Sequence, residues 1–232
     1  MEHALVSARP VNQAAVRIIP FATFIAFIIL GSAAGDWLQS LGLDTRWLYA
    51  ARAVTVGCLL LFFWRHFKEL HDFTGISGLQ IISATAAGIV VFVLWINLDQ
   101  PWASTGQPAA FNPVQPEGAE LDWVLVFFRL LGMVIVVPIM EELFWRSYLL
   151  RRVDAQDFLA RSPARASVYA ILISSALFAS EHNQWLAGLL AGLVYTVIYM
   201  RTRNLWLPVI SHAVTNALLG WWILATGQWH FW

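Results

Sequence analysis

The sequence predicts an all-α fold, a polytopic bundle of about seven (six to eight) transmembrane helices around a polar cavity. Two features of the composition point to it. The chain has 232 residues, of which 59% are hydrophobic and only 12% are charged, whereas soluble domains are about 25% charged. Its mean hydropathy is +0.64. A chain with so little charge cannot cover an aqueous surface, so the lipid bilayer is expected to be its solvent and first partner. The net charge of zero gives no basic signature for nucleic acid.

The third observation is a series of apolar segments with membrane-spanning length. A helix needs roughly 20 residues to cross about 30 Å of hydrocarbon. The first segment is followed by small residues, as in a signal peptide, but we expect a retained span because the rest of the chain is itself multi-spanning. There is no internal repeat or linker, so residues 1–232 are predicted to form a single integral membrane domain. The predicted spans are 16–34, 47–64, 76–98, 121–150, 166–179, 185–200 and 205–226.

Loop charge predicts the orientation of the bundle. Arginine and lysine follow the second, fourth and sixth spans and precede the first, whereas the loop 99–122 contains neither. Positive residues stay on the cytoplasmic side of short loops. The N-terminus is therefore predicted in the cytoplasm, and the loop 99–122 and the C-terminus outside. The aromatic tail TGQWHFW suits an interfacial anchor.

Two adjacent acids interrupt the fourth span, in the stretch PIMEELFWR at 138–146. Glu142 and Arg146 are four residues apart, so they share a helix face and are expected to pair. Glu141 is turned by roughly 100° from Glu142 and cannot share that pair equally. It is left to project into a polar environment, where a carboxylate can act as a general base, or to be protonated. The alternative is a helix that emerges into the cytoplasm here, with a solvated ion pair.

Pro138 predicts a distortion of the same helix. Proline has no N–H group, so the carbonyl of Val134, four residues earlier, is expected to lack its usual partner. A distorted helix beside two acids is consistent with a cavity at this level.

Two further segments place polar groups on apolar helices. The fifth span ends in FASEH, which carries Phe178 and His182, and the seventh contains HAVTN, with His212 and Asn216 on one helix face. Polar groups in such helices tend to face the bundle interior, so convergence on one cavity is predicted. Counted from the flanking arginines, Glu141 and His212 lie roughly 13–15 Å deep, but His182 would lie roughly 25 Å deep on a straight helix.

Together, these motifs resemble a known family. Glu-Glu-x-x-x-Arg, Phe-x-x-x-His and His-x-x-x-Asn on successive membrane helices are the pattern of the CPBP intramembrane proteases, which include the type II CAAX prenyl endopeptidases. Here they read EELFWR, FASEH and HAVTN, complete and in order, within a motif region of about 120–220. The C-terminal stretch also resembles the CAAX protease-related proteins that accompany bacterial exosortase (PEP-CTERM) systems.

The resemblance implies an intramembrane endopeptidase in a bacterial-type inner or plasma membrane. Its substrate would be a membrane-anchored or lipidated protein, cut near its C-terminus. Glu141 would activate water with the help of His182, and His212 and Asn216 would bind the oxyanion. Glu142 and Arg146 would order the site. Such roles agree with the chemistry of a carboxylate base and of neutral or positive donors.

The sequence leaves alternatives open for both the cofactor and the function. Glu141, His182 and His212 could hold a divalent metal such as zinc and leave a position for water. The helical HExxH arrangement is absent, and Asn216 with the two glutamates favours a metal-independent site. A non-proteolytic membrane scaffold or regulator, or a transporter that uses the buried acids, would also carry such residues, although no inverted repeat indicates a transporter.

Overall fold

The fold is a helical bundle in the computed structural model, which describes residues 11–71, 73, 75–106, 111–115 and 120–232. The described residues form seven main helices and no strand, and six of the helices are long and apolar enough to cross a membrane. This confirms the predicted fold class. Four residues of the segments used for the loop-charge argument lie outside the described residues: Arg9, Pro108, Pro116 and Glu117. The helices are α1 (Ala15–Ser40), α2 (Trp47–Phe63), α3 (Gly78–Asn97), α4 (Trp123–Arg152), α5 (Val168–Ser180), α6 (Trp185–Thr202) and α7 (Trp206–Thr226).

Polar side chains mark the beginnings of three helices. Ser77 and Gln80 form a reciprocal capping box at the start of α3. Asp122 accepts the first free N–H groups of α4, and Ser167 does the same for α5. The helix α5 has only 13 residues and is preceded by irregular chain with one 3-10 turn, Pro163–Arg165.

The tightest contact in the bundle joins α3 to α7. Gly88 lies directly against the backbone of α7, and a Cβ at this position would collide with the carbonyl oxygen of Ser211. On the other side of the same contact, the Thr215 hydroxyl donates to the Gly88 carbonyl at 2.9 Å. Because Ser211 and Thr215 flank His212, this contact fixes the rotation of α7 that carries the polar residues inward.

Two arginines counted as loop charges are buried at the ends of α1 and α4. Arg17 is paired with Glu69 at 2.6 Å, and Arg151 contacts the same carboxylate at 3.2 Å. The Ser147 hydroxyl also donates to Glu69. Burial would raise the pKa of Glu69, but the hydrogen bonds and charge of Arg17 and the Ser147 contact hold that pKa below its usual range. The cluster therefore stays ionised at neutral pH and clamps the end of α4.

The C-terminal tail turns back on the end of the bundle. After α7, Gly227 takes the left-handed conformation with φ of 68°, and the chain turns back through a 3-10 turn, Trp229–Phe231. Trp232 is buried, and its indole N–H points to the Met133 sulfur at 3.2 Å. The Trp232 ring packs against Phe111, and the interfacial position of the tail stays a prediction.

Candidate functional site

The helix α4 changes its hydrogen-bond register twice around the predicted acids. Residues Gly132–Val136 and Glu142–Leu149 form π-helical stretches, separated by one turn of α-helix. Such bulges are rare and often occur at functional sites. Because the π stretches change the rotation per residue, the side chains of the two glutamates and Arg146 point in directions that differ from those in a regular α-helix.

Proline explains the first stretch. The Val137 N–H bonds the Gly132 carbonyl in the i→i−5 pattern. In that register, the Met133 carbonyl would need the N–H of Pro138, which proline lacks. The side-chain amide of Asn216 takes its place and donates to the Met133 carbonyl at 2.7 Å. The carbonyl released by Pro138 is therefore that of Met133 and not that of Val134, since the π register shifts the pairing by one residue.

Glu142 is the centre of a buried charged group. One of its carboxylate oxygens lies 3.1 Å from Arg146 Nε and the other lies 3.0 Å from His212 Nδ1. Glu142 is 0% exposed and Arg146 is 1% exposed. Arg146 also packs its guanidinium over the rings of Phe178 and Tyr195, at 4.4 and 5.3 Å. The predicted Glu142–Arg146 pair is present, and His212 joins it from α7.

Glu141 has a different environment. Its side chain is buried, and its Oε2 atom has no hydrogen-bond partner in the part of the chain that the structure describes. It lines a cavity of about 150 Å³ together with His182, His212 and Asn216. Four residues from three separate sequence motifs thus converge on one space, and Glu142 and Arg146 lie directly behind it.

His182 reaches this cavity by a route that the straight-helix depth did not anticipate. The helix α5 ends at Ser180, so His182 lies in the following loop, and its Nδ1 bonds back to the Phe178 carbonyl at 2.8 Å. Its ring packs against Trp95 of α3 with centroids 5.2 Å apart. The estimate of roughly 25 Å assumed a straight helix from residue 165 to residue 182, whereas the helix covers only Val168–Ser180.

The hydrogen bonds of the two histidines determine which nitrogens remain available. A carbonyl or carboxylate oxygen can only accept, so Nδ1 is the donor in both His182 and His212. The Nε2 atom of each ring is left for the cavity. His212 Nε2 can donate a hydrogen bond only when the ring carries a proton on both nitrogens.

Aromatic side chains complete the walls of the cavity and were missed in the sequence. Tyr195 stacks on His212 with centroids 4.9 Å apart, and its hydroxyl donates to Thr215. Trp95 and Phe231 also line the cavity. No motif marks these residues, because aromatic side chains are abundant throughout the chain; a tyrosine next to a threonine in α6 was the only local signal.

The metal alternative requires three ligands in one place. Within residues 11–71, 73, 75–106, 111–115 and 120–232, no three His, Cys, Asp or Glu side chains form a group that could hold a metal ion. Glu141, His182 and His212 line one cavity but are not gathered as a ligand set. The metal-independent site stays a prediction.

A larger vestibule adjoins the cavity. Its volume is about 760 Å³, and Trp95, His182 and Phe231 line both spaces. The loop 99–106, the loop 181–184 and the tail 230–232 form its other walls. A hydrogen bond of 2.9 Å between His230 and Asp99 joins the tail to the first of these loops.

Fold and site together define a polytopic helical membrane protein with a buried glutamate–histidine–asparagine centre. Residues 123–218 match the family model described as Type II CAAX prenyl endopeptidase Rce1-like. This confirms the resemblance over the residues that carry the three motifs and supports, at the level of the family, a CAAX-type intramembrane protease. The narrower exosortase resemblance stays a prediction. No curated protein and no solved structure matches the chain.

Proposed function

We propose that the protein is an intramembrane endopeptidase that hydrolyses a peptide bond with a water activated by Glu141. The convergence of Glu141, His182, His212 and Asn216 on one buried cavity is the observation that carries this proposal. Glu141 lines that cavity and its Oε2 has no hydrogen-bond partner among the described residues, whereas the two oxygens of Glu142 lie at Arg146 and His212. A base needs such an unoccupied oxygen within reach of its proton donor.

The proposed reaction uses these four residues as follows. Glu141 takes one proton from water. His182 Nε2 accepts a hydrogen bond from the other O–H of that water and so orients it. The oxygen attacks the carbonyl carbon, and the oxyanion receives hydrogen bonds from the His212 imidazolium and from the second N–H of the Asn216 amide. Glu141 then returns its proton to the leaving nitrogen as the C–N bond breaks. Donors of this kind contribute about 2.7–4 kcal/mol each to the transition state.

Glu142 and Arg146 act in this scheme by positioning. The carboxylate of Glu142 accepts the hydrogen bond from Nδ1 of His212 and pairs with Arg146, so it fixes the orientation of the His212 ring. A hydrogen bond at one ring nitrogen of a histidine fixes the orientation of the ring and the position of its proton. Neither residue needs to touch the substrate.

The vestibule defines the side from which the substrate arrives. It is formed by the loop 99–106 and the tail, at the end of the bundle opposite to Arg65, Arg151 and Arg203. With the arginine-rich end in the cytoplasm, the N-terminus is cytoplasmic, the C-terminus is outside, and the cavity is approached from the outer side of an inner or plasma membrane. The substrate is then a membrane-anchored or lipidated protein with its scissile bond near its C-terminus.

The experiment that tests the function compares protein termini. Membranes of cells with the wild-type protein and with Glu141→Gln at equal abundance are analysed by mass spectrometry. New C-termini that occur only with the wild type are expected, and their sequences identify the substrates. Identical termini, together with a phenotype that survives the substitution, would contradict proteolysis and favour a scaffold; ion flux lost in Glu141→Gln without a peptide product would favour a transporter.

Chelation tests the proposed metal independence. Cleavage by the purified protein is expected to be unchanged after treatment with EDTA or dipicolinate, because its base and its oxyanion donors are side chains. The measurement is the initial rate on a substrate found by the terminus comparison, before and after dialysis against chelator. Loss of the rate, followed by recovery on addition of zinc, would overturn the metal-independent scheme.

A further inference from the structure

Two arginines in the outer half of the bundle are not used by the proposed chemistry. Arg52 belongs to α2 and Arg129 to α4, five and six residues from the helix starts. At 1.5 Å per residue, both lie about 8–9 Å inside the helix ends. The rings of Trp47 and Phe128 meet nearby, and the Tyr49 hydroxyl contacts the Arg129 carbonyl, so the two helices present these arginines at the same level.

Both guanidinium groups are held by aromatic rings. Arg52 lies 4.6 Å and Arg129 lies 4.0 Å from the centroid of the same ring, Tyr49. Phe24 packs on Arg52 at 4.2 Å, and Phe111 packs on Arg129 at 5.1 Å. The two positive groups therefore share the Tyr49 ring, and each has a second aromatic contact.

Neither arginine has an acidic partner among the residues that the structure describes. In the described part of the chain, Arg46 pairs with Asp44, Arg146 with Glu142 and Arg17 with Glu69, but Arg52 and Arg129 have no ion pair and no side-chain hydrogen bond. Their Nε atoms are buried and unpaired. A charged residue in a membrane helix normally marks a paired or functional position. An anion between them would compensate both charges.

The space beside these arginines opens toward lipid. A groove of about 640 Å³ is lined by Arg52, Arg129 and Tyr49 and by α1 residues that include Ile28. Within α1, the buried residues are Val16, Arg17, Pro20 and Phe21, so the outer half of this helix has none. Ile28 is 45% exposed. The groove therefore continues onto an apolar surface that faces the bilayer.

We propose that this groove is a binding site for an anionic membrane phospholipid, with the phosphate between Arg52 and Arg129 and an acyl chain along α1. The arginine fork suits phosphate oxygens better than a point charge does. The depth of about 8–9 Å matches the boundary between headgroups and hydrocarbon, where a bilayer supplies phosphate. Arg129 also lines the vestibule, so a bound lipid forms part of the wall past which the substrate moves.

Native mass spectrometry of the full chain in detergent tests this site. The protein is titrated with dioleoyl phosphatidylglycerol, with dioleoyl phosphatidylcholine, and with inorganic phosphate at equal ionic strength. Wild type is expected to retain one phosphatidylglycerol, and each of Arg52→Gln and Arg129→Gln is expected to weaken it by about tenfold, the loss of one charge-assisted contact. The control is Arg152→Gln, which removes an exposed arginine at the opposite end and should bind as wild type does.

Thermal unfolding in phosphatidylcholine alone separates binding from folding. The double variant Arg52→Gln/Arg129→Gln should melt no lower than wild type there, and only wild type should gain melting temperature when phosphatidylglycerol is added. Equal retention of phosphatidylglycerol by the double variant would overturn the site. Equal binding of phosphatidylcholine, of free phosphate, or of a peptide through its terminal carboxylate would overturn its assignment to an anionic lipid.

Discussion

Replacement of Glu141 by glutamine is expected to reduce cleavage of a purified substrate by about 10²–10⁴-fold, the typical loss when a general base is removed. Glutamine has nearly the same shape but cannot take a proton from water. Since Glu141 Oε2 has no partner among the described residues, the substitution breaks no ion pair. The loss should therefore appear in the turnover rate at saturating substrate, with little change in KM or in melting temperature.

The matched control for this variant is Glu120→Gln. Glu120 is exposed next to the start of α4, so the same chemical change there should leave the turnover rate as it is in the wild type. A Glu141→Gln protein that cleaves at the wild-type rate would assign the base to another group. A large rise in KM with an unchanged turnover rate would make Glu141 a substrate-binding residue instead.

Replacement of Glu142 by glutamine is expected to act on stability as well as on activity. The carboxylate is fully buried between Arg146 and His212. Removing one partner of a buried ion pair leaves an uncompensated charge and costs about 3–5 kcal/mol of unfolding free energy. The measurement is reversible unfolding in mixed detergent micelles, followed by tryptophan fluorescence, for wild type, Glu142→Gln and the Glu120→Gln control.

A second substitution separates the ion pair from general disruption. If the cost arises from the stranded guanidinium, Glu142→Gln combined with Arg146→Met should be less destabilised than the sum of the two single variants, because no charge is left behind. Strict additivity would show that the two side chains do not act as a pair. The double variant should still lose activity, since His212 no longer has its carboxylate.

The fold and the charged pair could be predicted because they depend on local sequence. Apolar length alone defined the seven segments, and the spacing of four residues between Glu142 and Arg146 defined their shared face. The largest difference between predicted and observed helix bounds is at α1, which was predicted to end at residue 34 and continues to Ser40. The outer part of α1 faces lipid, and no contact with the rest of the bundle marks the end of the helix.

Other features depend on contacts between distant segments. The π stretches of α4 follow from Pro138 together with an amide on α7, and no pattern within α4 indicates which carbonyl is released. The stacking of Tyr195 on His212 and the return of Trp232 to Met133 join residues far apart in the chain. The position of His182 in the loop after α5 was not predicted, because the end of α5 at Ser180 has no glycine or proline to mark it.

The double engagement of Asn216 affects how relatives of this chain should be compared. Its amide completes the hydrogen bonding of α4 at Met133 and also borders the cavity, so a relative without catalysis would still keep an amide there for the sake of its backbone. Within the described residues, Glu141 has no comparable structural role. When homologous sequences are sorted into active and inactive members, the loss of Glu141 is therefore the informative change, and the presence of Asn216 records only that the helix pair is intact.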